Sequence, residues 1–259
     1  MYEIIAPHGK RTDQSYDSYI NRYVQAKKTM SRTKRVTTNI YSILDNKRII
    51  YDLKFDPIKN YLDRTQEMII SQETQMLEKF NKWNLEHGND PEKPDAFDIY
   101  ETEILNSSAF PDILNKSIYL TIYSMFEIEF FKLCEWCKHI GNFNLGPKDL
   151  SERNYISQCR KYIIKVLDVN LDSLNEKWSE IGKYQLLRNA IAHNNGILKN
   201  LSDDNLLFID KTFGISVDNE SGEIQIESIE SLKNLIDILV NFLNDVIEQI
   251  IGQKEKAST

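Results

Sequence analysis

Beyond about residue 56, apolar residues return every three to four positions, and this spacing predicts a succession of helices rather than strands. Ile58, Leu62, Ile69, Met76, Leu77 and Phe80 form one broad stripe, so a helix is expected from Ile58 to Trp83, just after the punctuation of Asp56-Pro57. The stretch Glu86–Asp95, with one glycine and two prolines, predicts a surface loop. Pro111 to His139 is the most apolar helix expected, with Pro111 at its first position. Ile118, Tyr119, Leu120, Ile122, Tyr123, Met125, Phe126, Ile128, Phe130 and Phe131 cannot all share one face, so this helix belongs at the centre of a bundle or shares a second face with another subunit.

The pattern resumes after GNFNLGPKD, from Leu150 to about Val169, through Tyr155, Ile156, Tyr162, Ile163 and Val166. Ser173 followed three positions later by Glu176 reads as a capping box, which starts a helix near Leu174 that runs towards His193. Ile215/Val217 and Ile224/Ile226 alternate on either side of NESG and predict a β-hairpin. A last helix, Ile229 to about Ile250, repeats Leu232, Leu235, Ile236, Leu239, Leu243 and Val246. At the other end, Tyr16, Ile20, Tyr23 and Val24 have helical spacing, while Tyr51, Leu53 and Phe55 alternate like a half-buried strand. The expected fold is therefore mainly α: a helical bundle over residues 56–259 with a small β-hairpin before its C-terminal helix, preceded by an α/β extension, residues 1–55.

Composition adds little to that outline, whereas charge adds something. With 259 residues the chain can bury a sizeable core without disulfide or metal staples. No apolar run approaches the roughly 18 residues of a membrane span, and MYEIIAPHGKRTDQ lacks the layout of a secretory signal, so a cytoplasmic protein without membrane partners is expected. Net charge is −7, but residues 1–48 hold ten Lys/Arg against four acids. This basic stretch could guide a nucleic acid or be a solvated helix face. Cys134, Cys137 and Cys159 form an odd set in an intracellular-looking chain. CEWC lies late in a helix rather than at a strand-to-helix junction, so it reads as core packing, not as a redox pair or metal site. His8, His87 and His139 are isolated, and no phosphate loop, nucleophile elbow or zinc-protease motif is present.

The stretch LLRNAIAHNNG, Leu186–Gly196, is different. At 100° per residue, Leu174, Trp178 and Ile181 define the buried stripe of their helix and Arg188 falls inside it. A guanidinium there must be paired, at an interface, or lining a cleft. Asn189 and His193 stand one turn apart on one side, within reach of each other or of a shared ligand. Asn194, Asn195 and Gly196 tolerate left-handed backbone and predict termination just after His193. Arg188 and His193, about 140° apart, converge only if the helix loosens or the arginine curls over its end. The plain alternative has His193 facing the helix dipole and Arg188 paired with an acid such as Glu180 or Glu176 elsewhere in the bundle.

Arg188, Asn189 and His193 in RNAIAH resemble the R-x4–6-H motif of the HEPN superfamily, and the resemblance covers only those six residues and their setting at a helix end. It implies a helical bundle that dimerises so that two Arg/His pairs face one cleft, acting as a metal-independent endoribonuclease in a toxin or anti-phage role with no cofactor. His193 would be the acid/base for the 2′-OH and the leaving 5′-oxygen, because imidazole titrates near neutral pH. Arg188 would clamp the phosphorane, and Asn189 would orient the imidazole or hold phosphate. Lys183, Tyr184, Asn194 and Asn195 are the neighbouring candidates for RNA contact, although Tyr184 also suits the core. Expected partners are RNA, a second copy of the chain, and an antitoxin or activating protein. Toxins paired with nucleotidyltransferases carry a tyrosine two residues after the histidine as the modification target; Asn195 stands there, so control by that route is not expected. The alternative is a silent module of the same kind that binds RNA, nucleotide or protein without cutting.

Overall fold

The structure, a computed structural model, describes residues 36–256 except 89, 91, 153, 200 and 201. His8 and the helix expected at Tyr16, Ile20, Tyr23 and Val24 lie outside the described residues. Internal contacts divide the chain into Met1–Ile43 and Leu44–Thr259. Within the first unit the described residues, Val36 onward, are the first turns of a helix.

The described part is mainly helical: α1 (Val36–His87), α2 (Ala96–Gly141), α3 (Tyr155–Lys165), α4 (Asn175–His193), α5 (Asp203–Lys211), β1 (Ile215–Val217), β2 (Ile224–Ile226) and α6 (Ile229–Lys256). The two strands pair antiparallel, Ile215 with Ile226 and Val217 with Ile224, so the expected hairpin is present. Asp218 closes its turn, accepting from the backbone N–H of Glu220 and from both the N–H and hydroxyl of Ser221. No helix among the described residues is long and apolar enough to cross a membrane.

Three expectations about elements are overturned. The strand expected at Tyr51–Phe55 is helix, and α1 runs unbroken through Pro57 and across the 55/56 junction. Tyr51 and Phe55 are both fully buried while Leu53 between them is 63% exposed, as an i, i+4 pair on a helix requires. Pro111 does not open a helix but lies inside α2. The start is set upstream, where the Asp95 carboxylate accepts from the Phe97 N–H at 2.6 Å. The Ser173/Glu176 capping box does not form either; Leu171, Asp172 and Leu174 enter a 3-10 turn before α4 begins. There the Asn170 side chain takes the Asp172 N–H at 2.6 Å, so the polar side chains cap the turn rather than the helix. The helix expected from Leu150 shortens to α3, which Asn154 caps by accepting from the Ser157 N–H.

The core gathers on the second half of α2. Phe126 and Phe130 meet Phe242 of α6 edge-on, and Trp178 of α4 closes the cluster. Phe126, Phe130 and Phe242 are essentially inaccessible, each contributing about 1.5–3 kcal/mol of apolar burial. Around this core, Lys59–Asp237 and Lys233–Asp63 join α1 to α6, Lys177–Asp245 joins α4 to α6, and Lys54–Glu129 joins α1 to α2. Cys134, Cys137 and Cys159 are buried and free, with the Cys134 thiol donating to the Cys159 carbonyl at 3.8 Å. Burial pushes the Cys134 thiol well above its ordinary range, which makes it a packing residue rather than a nucleophile.

Candidate functional site at the end of helix α4

Ile181, Tyr184, Leu187 and Ala190 recur at intervals of three and face the core, which fixes the buried side of α4. Two tyrosines of α2 fix its rotation more tightly. Tyr119 donates its hydroxyl to the Tyr184 carbonyl at 2.9 Å, and Tyr123 donates to the Ile181 carbonyl at 3.1 Å. Burial raises both phenols well above the usual range, so both remain donors at any working pH.

With α4 held in this way, Arg188 comes to the rim of the buried stripe, its side chain 25% exposed. Its Nη2 lies 3.7 Å from Oε2 of Glu127 on α2, and its Nη1 donates to Oδ1 of Asn189 at 3.2 Å. Its Nε is buried and has no hydrogen-bond partner among the described residues. The expected pairing of this arginine is therefore present, but with Glu127 rather than with Glu180 or Glu176 on its own helix. Burial raises the Glu127 carboxyl above its ordinary pKa, and the Arg188 guanidinium pulls it part of the way back.

His193 is the last residue of α4 and is exposed. Among the described residues no hydrogen bond or ion pair engages its imidazole. Immediately after it the chain turns as the asparagines and glycine predict: Asn194 N–H and Gly196 N–H both donate to the Ala190 carbonyl, at 2.9 and 3.1 Å, and Asn195 and Gly196 have φ of 53° and 78°. The Gly196 carbonyl then accepts from Ile224 N–H at 2.9 Å and Leu198 N–H donates to Gly222, so the turn is sewn to β2. Lys116 of α2 braces it. Its ammonium meets Asp112 at 2.7 Å and Glu223 at 3.4 Å, and its stem lies 3.3 Å from where a Cβ on Gly196 would stand.

The site candidates therefore separate into those the fold brings together and those it does not. Arg188 and Asn189 touch. His193 stays apart from Arg188 within the chain, because α4 remains helical through His193 and does not loosen; Asn189 is engaged by Arg188 rather than by the imidazole. Asn194 is half-buried and Asn195 exposed, both in the turn itself. Two candidates for RNA contact are engaged within the fold. Tyr184 is 3% exposed and packs edge-on against Phe208, a core residue whose phenol burial pushes up to about 12. Lys183 is committed to α5, donating to the Asp204 carboxylate at 2.7 Å and the Asp204 carbonyl at 3.2 Å. Its ammonium is thus neutralised locally.

Glu127 escapes a reading of local spacing because its partner lies 61 positions away, and Lys116, beyond its local pair with Asp112, because Gly196 and Glu223 lie 80 and 107 positions away. For Glu127 a signal exists in the sequence: a carboxylate inside the apolar run SMFEIEFF needs a cation brought to it by the fold. Among the described residues no group of three or more His, Cys, Asp or Glu is arranged to hold a metal ion. Neither a protein-family model, nor a curated protein, nor a solved structure matches this chain.

Proposed function

We propose that the chain is a HEPN-like, metal-independent endoribonuclease that works as a homodimer in a toxin or anti-phage role, with His193 as acid/base and Arg188 as the phosphate clamp. The observation that supports this reading best is the exposed, unengaged imidazole of His193 at the end of a helix whose rotation two buried tyrosines fix. Cutting RNA by attack of its own 2′-OH requires one group to take that proton, one to return a proton to the 5′-oxygen, and a cation beside the phosphorane. A neutral imidazole can accept and an imidazolium can donate, and both forms coexist near pH 7. A single His193 cannot be both at once, so a second copy supplies the other. Arg188, always charged, is the residue type for a developing dianion. In this reading both copies of His193 face one phosphate, one as base and one as acid, with Arg188 beside it.

A second reading has a specific observation behind it. Both terminal nitrogens of Arg188 are occupied, by Glu127 and Asn189, as suits a module that binds RNA or a partner without cutting. Incubation of the full chain with mixed RNA in EDTA separates the two. The nuclease reading expects cleavage that falls about 10²–10⁴-fold in His193→Ala and about 10²–10³-fold in Arg188→Ala. RNA retained but intact supports the binding module.

A further inference from the structure

Arg188 does not present a free fork to solvent. Nη2 faces Glu127 Oε2 at 3.7 Å and Nη1 donates to Asn189 Oδ1 at 3.2 Å, so a carboxylate and an amide oxygen already stand at the two nitrogens a bidentate phosphate would use. Nε is buried without a partner among the described residues, so the guanidinium has an unmet bond there while each terminal nitrogen already faces an oxygen. Glu127 is itself mostly covered, its side chain 16% exposed, and it is held on α2 beside the buried Phe126. At 3.7 Å the contact is an ion pair without hydrogen-bond geometry, which makes it displaceable.

We infer that Glu127 is a positioning residue that stands in for phosphate at Arg188, so that its carboxylate sets how tightly the site takes an RNA phosphate. This rests on the proposed role of Arg188. An incoming phosphodiester must displace the Glu127 carboxylate from Nη2 and the Asn189 amide oxygen from Nη1. Its affinity is therefore lowered by whatever the existing pair is worth, while the guanidinium is kept in the orientation the phosphate needs. Removing the charge on Glu127 without changing its shape leaves Nη2 facing a neutral amide, a weaker competitor than a carboxylate.

The probe is a 2′-deoxy-substituted RNA oligonucleotide, which binds but cannot be cut by its own 2′-OH, titrated by fluorescence anisotropy into the full chain. Glu127→Gln is expected to bind about three- to tenfold more tightly than wild type, the range that loss of one half-buried competing ion pair commands. In an Arg188→Ala background the same substitution is expected to change affinity less than twofold, because nothing remains for Glu127 to compete over. Glu127→Met, of similar length and apolar, is read beside it with a thermal melt of each protein, so that one poorly folding variant does not decide the result. Unchanged affinity in both Glu127 variants, while Arg188→Ala still weakens binding, overturns the stand-in role and leaves the role of Arg188 intact. Tightening that persists equally in the Arg188→Ala background also overturns it, since the effect is then only the loss of one negative charge. If Arg188→Ala binds the probe as wild type does, the role of Arg188 fails, and this inference with it.

Discussion

Arg188 and His193 share one helix end but differ in what holds them, and the difference is measurable as stability. Arg188 offsets the cost of a mostly covered carboxylate, whereas His193 offsets nothing. Arg188→Ala is expected to destabilise the fold by about 1 kcal/mol at neutral pH, discounted for the partial exposure of the pair. For a chain of this size that is a fall of roughly 2–4 °C in Tm. The sign with pH follows from Glu127. Its folded pKa is already raised by burial, and loss of Arg188 raises it further. The carboxyl therefore contributes stability below its unfolded value, about 4.3, and that contribution is lost as pH rises through the folded value. Melts of wild type and Arg188→Ala should converge in acid and separate towards pH 7; a gap that widens in acid would contradict the pairing. His193→Ala should melt within about 0.5 kcal/mol of wild type throughout, as exposed sites without partners do.

The elements show where local pattern suffices and where it fails. Periodicity reads the hairpin, the C-terminal helix and the end of α4 at His193 correctly, because each rests on near neighbours: alternation, a 3.6-residue stripe, and residues that tolerate positive φ. It misreads Tyr51–Phe55, where three apolar residues at alternate positions fit both periods until burial shows that Leu53 points away. Pro111 and the Ser173/Glu176 pair are misread for a related reason: the flanking Asp95 cap and the Asn170 turn set the boundaries first. The residues Arg188, Asn189 and His193 and the helix end that carries them are legible from sequence, but the contacts of Glu127, Tyr119 and Tyr123 depend on how α2 crosses α4 and carry no local spacing. Those crossing contacts can be tested one at a time. Tyr119→Phe and Tyr123→Phe should each cost about 1 kcal/mol in urea unfolding, since each leaves a buried carbonyl of α4 without its extra donor. Gly196→Ala should cost more than the usual 1 kcal/mol for a residue forced to positive φ, because Lys116 lies against the new methyl. Hydrogen exchange at the Ile224 N–H, which bonds to the Gly196 carbonyl, should accelerate in that variant.

For the whole molecule, charge and assembly decide how a nucleic acid could approach. Residues 63–112, the facing stretches of α1 and α2 with Trp83 bonded to the Pro94 carbonyl, carry twelve Asp/Glu against Arg64, Lys79, Lys82 and Lys93. That excess of eight acids is larger than the net charge of the chain, so the RNA of the proposed reaction would be repelled by this stretch and would approach from elsewhere. Because one His193 cannot supply both proton transfers, the proposed chemistry also requires a dimer. Light scattering of the full chain should give twice the chain mass at the concentrations that support cleavage, and a monomer active at those concentrations would contradict the shared site. The central claim is the chemistry itself, and the ends of the cut RNA report it most directly. Mass spectrometry of fragments produced in EDTA should find 2′,3′-cyclic phosphate on one side of the break and 5′-hydroxyl on the other, both absent with His193→Ala; fragments ending in 3′-hydroxyl and 5′-phosphate, or cleavage that survives loss of His193, would contradict it.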